Sequence, residues 1–169
     1  FSNTFNNEYA LDDGIVILKN EYVQKGISGI RKIMSTDSYD SFYKQMNAKE
    51  QLSGGRWRPL SVVTFAIEQS LFGKKNSAPN TLDVNLAYIR HLMNVLFYIL
   101  SVIVLLYFLQ KFLLKNFGLA AFTVSLLFLV HPLHTEVVAN IKSRDEIFSF
   151  LFIVLTFIKV FKYTKSDKY

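Results

Sequence analysis

There is no cysteine in the 169 residues, so no disulfide staples the chain and no thiolate can hold a metal. No segment repeats itself, which sets aside solenoid and array architectures. Acidic residues thin out along the chain. Residues 1–85 hold ten Lys or Arg against nine Asp or Glu, whereas residues 86–169 hold nine against four. The net charge of +6 therefore arises mainly in the second half, where the bases sit between long apolar runs. That is how Lys and Arg collect on the cytoplasmic turns of a membrane protein, and it argues against a nucleic-acid surface. With 51% hydrophobic residues and 16 Phe, the chain is too apolar for disorder. No signal peptide precedes the polar N-terminal stretch. A polar loop on the outer face needs a helix before it to carry it across, so a transmembrane helix is expected ahead of Phe1. More chain is likewise expected beyond Tyr169.

Three apolar runs follow residue 85. Leu92 to Leu109 is 18 residues without a charge, close to the ~20 needed to cross a bilayer. It lacks the polar face that a soluble core helix would show. Phe117 to Val130 and the run from Ile147 are shorter; 14 residues rise only ~21 Å as a helix. Together the runs predict three membrane helices, at about 88–113, 117–131 and 145–162, with an outer loop at 131–146. The shortness of the second and third predicts that this loop dips below the membrane surface, where irregular backbone is tolerated beside a wet cavity or inside protein. Lys111 and Lys115 follow the first helix, and Lys159, Lys162, Lys165 and Lys168 the third. Those ends share one side, which the positive-inside rule makes cytoplasmic. Residues 1–85 and the 131–146 loop then share the outer face.

The first 85 residues are more than a spacer. Ile27 to Met34 and Ser38 to Met46 predict short helices, with turns at Gly26 and Gly29. Pro59 suits the start of a helix, and Leu60 to Phe72 is dense in apolar residues interrupted by Glu68, Gln69 and Ser70. That reads as a helix lying along the membrane interface, at about 60–72. Residues 73–85 read as a connection. The fold class is therefore all-α membrane protein, an outer loop of short and interfacial helices followed by a transmembrane region at 86–169.

Two polar clusters carry chemistry-bearing side chains. Asp12 and Asp13 are adjacent, so their charges repel and one is expected to titrate high unless a cation lies near. Such a pair can supply a general base or hold a divalent cation, or simply form an Asp-Gly turn. The second cluster holds His131, His134 and Glu136, then Lys142, Arg144, Asp145 and Glu146. Its His and Glu have metal-ligand character, and its cations suit a lipid phosphate. Arg56 and Arg58, either side of Trp57, have the same potential, with Trp57 as an interface anchor. His91 and Asn94, one turn apart, read as helix-packing residues.

The stretches YALDDGIVI, GGRWRPLSVVTFAIEQSLFG and HPLHTEVVANIKSRDEIFSF, in this order, resemble the bacterial tetratricopeptide-repeat membrane proteins related to the protein O-mannosyltransferases. The resemblance covers nearly the whole chain, and the block from His131 is its most specific part. It implies part of a larger C-type glycosyltransferase bundle, in the inner membrane of a bacterium with residues 1–85 in the periplasm. Such enzymes pass a sugar from a polyprenyl phosphate to a protein or glycan acceptor on the outer face. In that family an acidic pair in the first outer loop sits at the active site. By position this implies Asp12 as base and Asp13 as the second acid. Residues 57–60, WRPL, stand where relatives carry a Pro-Leu motif. Glu136 is then expected to orient the site, and Arg56, Arg58, Lys142 and Arg144 to hold phosphate. His131, His134, Asp145 and Glu146 complete the second loop's share. A divalent cation on Asp13, His134 and Glu136 is the cofactor left open. Ser143 departs from the pattern, standing where glycine is expected.

Two other classes compete. A non-catalytic scaffold, whose repeats bind partners, does not need the two clusters to converge. A transporter predicts charges inside its spans, and Leu92 to Leu109 has none.

Overall fold

The computed structural model describes residues 1–10, 12–48, 56–73 and 84–166. The glycine turn at 53–55, most of the 73–85 connection and Lys168 lie outside the described residues, as does the Lys165 side chain. Every regular element among the described residues is helical.

The N-terminal region is a set of short turns and helices packed on one longer helix. Asp13 leads into a single wide turn, Gly14–Leu18, closed by a bond from Lys19 N to Gly14 O at 2.9 Å. Then come α1 (Glu21–Gln24), α2 (Ile30–Ser35) and α3 (Asp40–Gln45). The Asn20 side chain caps α1, accepting from Tyr22 N and Val23 N. α4 (Pro59–Phe72) opens with proline at its first position, where a missing N–H costs nothing. Gly26 takes φ +61°, and a Cβ there would fall 2.0 Å from Ser70 Oγ on α4. The same Ser70 hydroxyl accepts from Ile27 N at 2.8 Å, so the glycine allows the close approach that docks this corner. Val16, Ile17, Val23, Ile33, Val62, Phe65, Ala66 and Ile141 form the core of this region. α4 buries Val62, Phe65, Ala66 and Glu68, and leaves Leu60, Ile67, Leu71 and Phe72 exposed.

The C-terminal region is built on α5 (Val84–Phe108), which runs on through a wide turn to Leu113. α6 (Gly118–Val130) turns back along it, since Ala121 packs with Phe108 and Leu109 while Phe128 O and Leu129 O accept from the Tyr98 hydroxyl. α7 (His134–Ala139) continues the return, and α8 (Arg144–Ser166) runs beside α5 in the same direction. Ile147 of α8 packs near Tyr98 and Val102, and Val154 and Ile158 pack near Phe108.

Two helical stretches, Asn85–Leu113 and Ile141–Thr164, are long and apolar enough to cross a membrane, and only 33% and 28% of their apolar windows are buried. The expectation of three such helices is corrected to two. α6 has 13 residues, which rise only ~20 Å against a hydrocarbon core of ~30 Å. α6 and α7 together carry the chain back, and residues 131–146, expected as an outer loop, hold α7 and the short helical turn Ile141–Ser143. Ser143 sits in a short helical turn, and the positive φ among described non-glycine residues is at Asn47, so glycine is not needed at 143.

Candidate active site

Members of the two expected clusters, Asp12 from the first and Lys142 and Asp145 from the second, share one cavity wall. Asp12, from the turn before Gly14–Leu18, and Lys142, from the turn before α8, are 130 residues apart in sequence, yet Lys142 Nζ donates to Asp12 Oδ2 at 3.0 Å. They line a cavity of about 360 Å³ with Tyr39, Tyr43, Arg56, Arg58, Ser61 and Asp145. The Tyr39 hydroxyl also donates to Asp12 Oδ2, at 3.0 Å.

The adjacent acids have been separated by their surroundings. Asp13 is 1% exposed; its Oδ1 accepts from Lys142 N at 2.7 Å and its Oδ2 from Ala10 N at 3.1 Å. It staples the first segment to the α8 turn and so sets where Lys142 stands. Burial pushes the Asp13 carboxyl above its ordinary value, opposed by those two backbone N–H groups. Asp12 goes the other way. The Lys142 ammonium, aided by Tyr39 and against partial burial, holds its carboxyl below the ordinary 3.8. Burial and then the Asp12 carboxylate push the Tyr39 phenol up to about 12, so it remains a donor.

The cations are placed by local bonds. Asp37 accepts from Tyr39 N at 2.9 Å and from Arg56 N at 3.2 Å, tying the two walls together. The Arg56 guanidinium lies 4.7 Å from the Tyr39 ring centroid and donates to the Tyr43 hydroxyl at 3.3 Å. Arg58 pairs with Asp145 at the start of α8. Trp57 is exposed, with its indole N–H donating to Met34 O. Beside this cavity, and sharing Arg58, Ser61 and Asp145 with it, lies a groove of about 370 Å³ lined by Trp57, Leu60, Glu146, Phe148 and Phe152.

Arg144 is elsewhere, and its expected phosphate role is corrected. It is fully buried, donating to Glu68 Oε1 at 2.5 Å, Thr64 Oγ1 at 2.7 Å, Asn94 Oδ1 at 2.7 Å and Arg90 O at 3.1 Å. That is four of its five donor directions, from α4 and α5. Arg90 is also buried, its Nε 3.6 Å from Glu68 Oε2, so one carboxylate serves two guanidiniums. Asn94 also donates to Asn140 O and Ile141 O, which makes it the packing residue expected. His91, likewise buried, reaches Asn7 O at 3.1 Å.

Glu136, His131 and His134 do not line the cavity, which corrects the expectation that Glu136 shares it with Asp12. Glu136 is exposed on α7, while the His134 ring packs 4.3 Å from Phe128 and 5.7 Å from Tyr98. Among the described residues no three of His, Asp or Glu converge as a cation set, so Asp13, His134 and Glu136 are not brought together for that purpose. Sequence reasoning missed Tyr39, Tyr43 and Glu68. The tyrosines face Asp12 only through the α1–α3 packing, and Glu68 looks like a solvated interruption until Arg90 and Arg144 are seen on it.

The helical chain thus joins two membrane-length helices to one cavity that holds the Asp12 carboxylate and the Arg56, Arg58 and Lys142 cations. The chain is similar over 158 residues, 94% of its length, to the human protein named protein O-mannosyl-transferase TMTC1, at 32% identity. It is 33% identical over 117 residues, 69% of its length, to the mouse protein O-mannosyl-transferase TMTC3. It is 29% identical over 147 residues, 86% of its length, to the protein O-mannosyl-transferase F38B6.6 of Caenorhabditis elegans. These matches cover 16%, 11% and 19% of those proteins, so the chain spans less than a fifth of the length of each. Each of these relatives is named a protein O-mannosyl-transferase. No family model matches the chain, and no solved structure matches it.

Proposed function

We propose that this chain forms part of the catalytic module of a membrane glycosyltransferase, moving a mannose-like sugar from a polyprenyl-phosphate donor to a protein or glycan hydroxyl. Residues 1–85 would face the outer side of the membrane, the periplasm in a bacterium. One observation carries the reading: Asp12 shares a single cavity with Arg56, Arg58 and Lys142. A hydroxyl is a weak nucleophile and must lose its proton as it attacks the sugar carbon, which needs a carboxylate base. The leaving phosphate gains charge and needs cations, three of which line this wall. The polar cavity adjoins a groove with apolar side chains from Trp57, Leu60, Phe148 and Phe152, which suits a donor with a phosphate head and a hydrocarbon tail.

The test is transfer of radiolabel from polyprenyl-phosphate mannose to protein in membranes holding the full-length protein, beside an Asp12→Asn variant of equal abundance. Label is expected with the native protein and is expected to fall by about 10²–10⁴-fold in the variant. Label unaffected by the change would move the base elsewhere. Absence of label from this and other polyprenyl-phosphate sugars would favour a scaffold that binds partners without chemistry.

A further inference from the structure

The charges on the cavity wall balance in a way that assigns a moving part. Its side chains of formal charge are Arg56, Arg58, Lys142, Asp12 and Asp145, beside the phenols of Tyr39 and Tyr43. Arg58 is taken up by Asp145 and Lys142 by Asp12, while the Arg56 guanidinium bonds the Tyr43 phenol, with Asp37 beside it and outside the cavity lining. The lining side chains therefore sum to one positive charge, and Arg56 is the lining cation that makes no ion pair among the described residues. A sugar joined to a lipid through a phosphodiester carries one negative charge, which Arg56 can meet without breaking either ion pair.

Transfer changes that count by one on each side. The acceptor oxygen forms its bond to the sugar carbon and the sugar–phosphate C–O bond breaks, its electron pair going to the phosphate. The acceptor's proton goes to Asp12. The phosphate is now a monoester with a second charge, and Asp12 has become neutral. The bond that held Lys142 has lost its anion in the same step that creates a new anion in the cavity.

We propose that Lys142 exchanges partners during the reaction, leaving Asp12 for the phosphate as the proton arrives, so that one lysine couples release of the leaving group to the base's protonation. The inference rests on the transferase reading above. The geometry fits a side chain that swings on a fixed base. Lys142 N is anchored by Asp13 Oδ1 at 2.7 Å, whereas its ammonium is held by Asp12 and is partly open to solvent. Among the described residues, both bonds on Asp12 go to Oδ2, one from Lys142 and one from Tyr39, which leaves Oδ1 to take the proton. Arg144, two residues on, cannot take the lysine's part because its donors are bound inside the protein.

The exchange predicts a binding pattern that needs no turnover. Asp12→Asn imitates the neutral acid, frees Lys142, and is expected to tighten a short-chain polyprenyl phosphate monoester on the order of tenfold, the worth of one charge-assisted hydrogen bond. The phosphodiester-linked mannose donor is expected to gain clearly less. Calorimetric titration of the full-length protein in nanodiscs would measure both. The gain is expected to survive Lys142→Arg and to vanish in Lys142→Met, where adding Asp12→Asn no longer tightens the monoester. If Asp12→Asn tightens the monoester equally in the Lys142→Met background, only long-range charge is at work and the exchange is wrong. Native protein that binds the lipids but shows no gain in Asp12→Asn also overturns the exchange, leaving the transferase reading intact. Native protein that binds neither lipid overturns both.

Discussion

Asp12 and Asp13 show how far neighbouring residues of one type can be driven apart. Burial raises one carboxyl; an ammonium and a phenol lower the other. Because Asp12 titrates below its unfolded value, its contribution to folding is fully present above pH 3.8 and is lost as pH falls through the lowered folded value. With Asp12 as the proposed base, the same shift would set the acid side of catalysis. The pH profile of kcat/KM reports the free enzyme's base, so its acid limb is expected below pH 3.8 in the native protein. Lys142→Met removes the main cause of the lowering, and the limb is expected to move upward. A limb that stays in place would mean that Lys142 does not set the state of Asp12. Tyr39→Phe removes the second bond and is expected to move the limb in the same direction by less, with no loss of folded protein.

At the scale of elements, the joint of α4, α5 and α8 is a buried ion cluster in place of an apolar contact. Glu68 of α4 meets Arg90 of α5 and Arg144 of α8, and the Arg144 guanidinium lies 4.3 Å from the Phe65 ring centroid. Removing the single carboxylate leaves two buried cations without an anion. Glu68→Ala is therefore expected to cost about 3–5 kcal/mol, read as a lower unfolding midpoint in detergent. Arg144→Lys is expected to be damaging too, because one ammonium cannot reproduce four bonds spread over α4 and α5. A midpoint unchanged in both variants would remove the cluster from the list of things that hold the site. The consequence reaches the cavity, since Lys142, Asp145 and Arg58 are all positioned by where α8 begins against α4.

At the scale of the whole molecule, α5 and α8 run in the same direction with α6 and α7 as the return. Large apolar residues such as Leu119, Leu127, Val130, Phe152 and Ile153 lie more than half, or nearly half, exposed along this bundle. A face of that kind is stable against lipid or further protein, not water. The outer placement of residues 1–85 can be tested directly because the chain has no cysteine. Lys25→Cys, in the first region, is expected to react with a membrane-impermeant maleimide added to intact cells or spheroplasts. Lys162→Cys, near the end of α8, is expected to react only after lysis. The opposite pattern would invert the orientation and place the cavity on the cytoplasmic face.

The sequence by itself determined the helical class and the position of the long apolar runs. These follow from local properties: a run without charges has few stable environments, and a proline or a capping asparagine acts on its own turn. It also showed that α6 was short, although the count of membrane-length helices had to be lowered once its ends were visible. Only the tertiary structure decided which member of each cluster does what. Lys142 and Arg144 are two residues apart with the same charge, yet one reaches a cavity and the other is locked on Glu68, 76 residues away. Glu136 and Glu68 likewise exchange importance, one exposed and one at the centre of a joint. Such differences come from long-range packing, which sets desolvation and partner geometry at each position, and no local pattern of residue types encodes that.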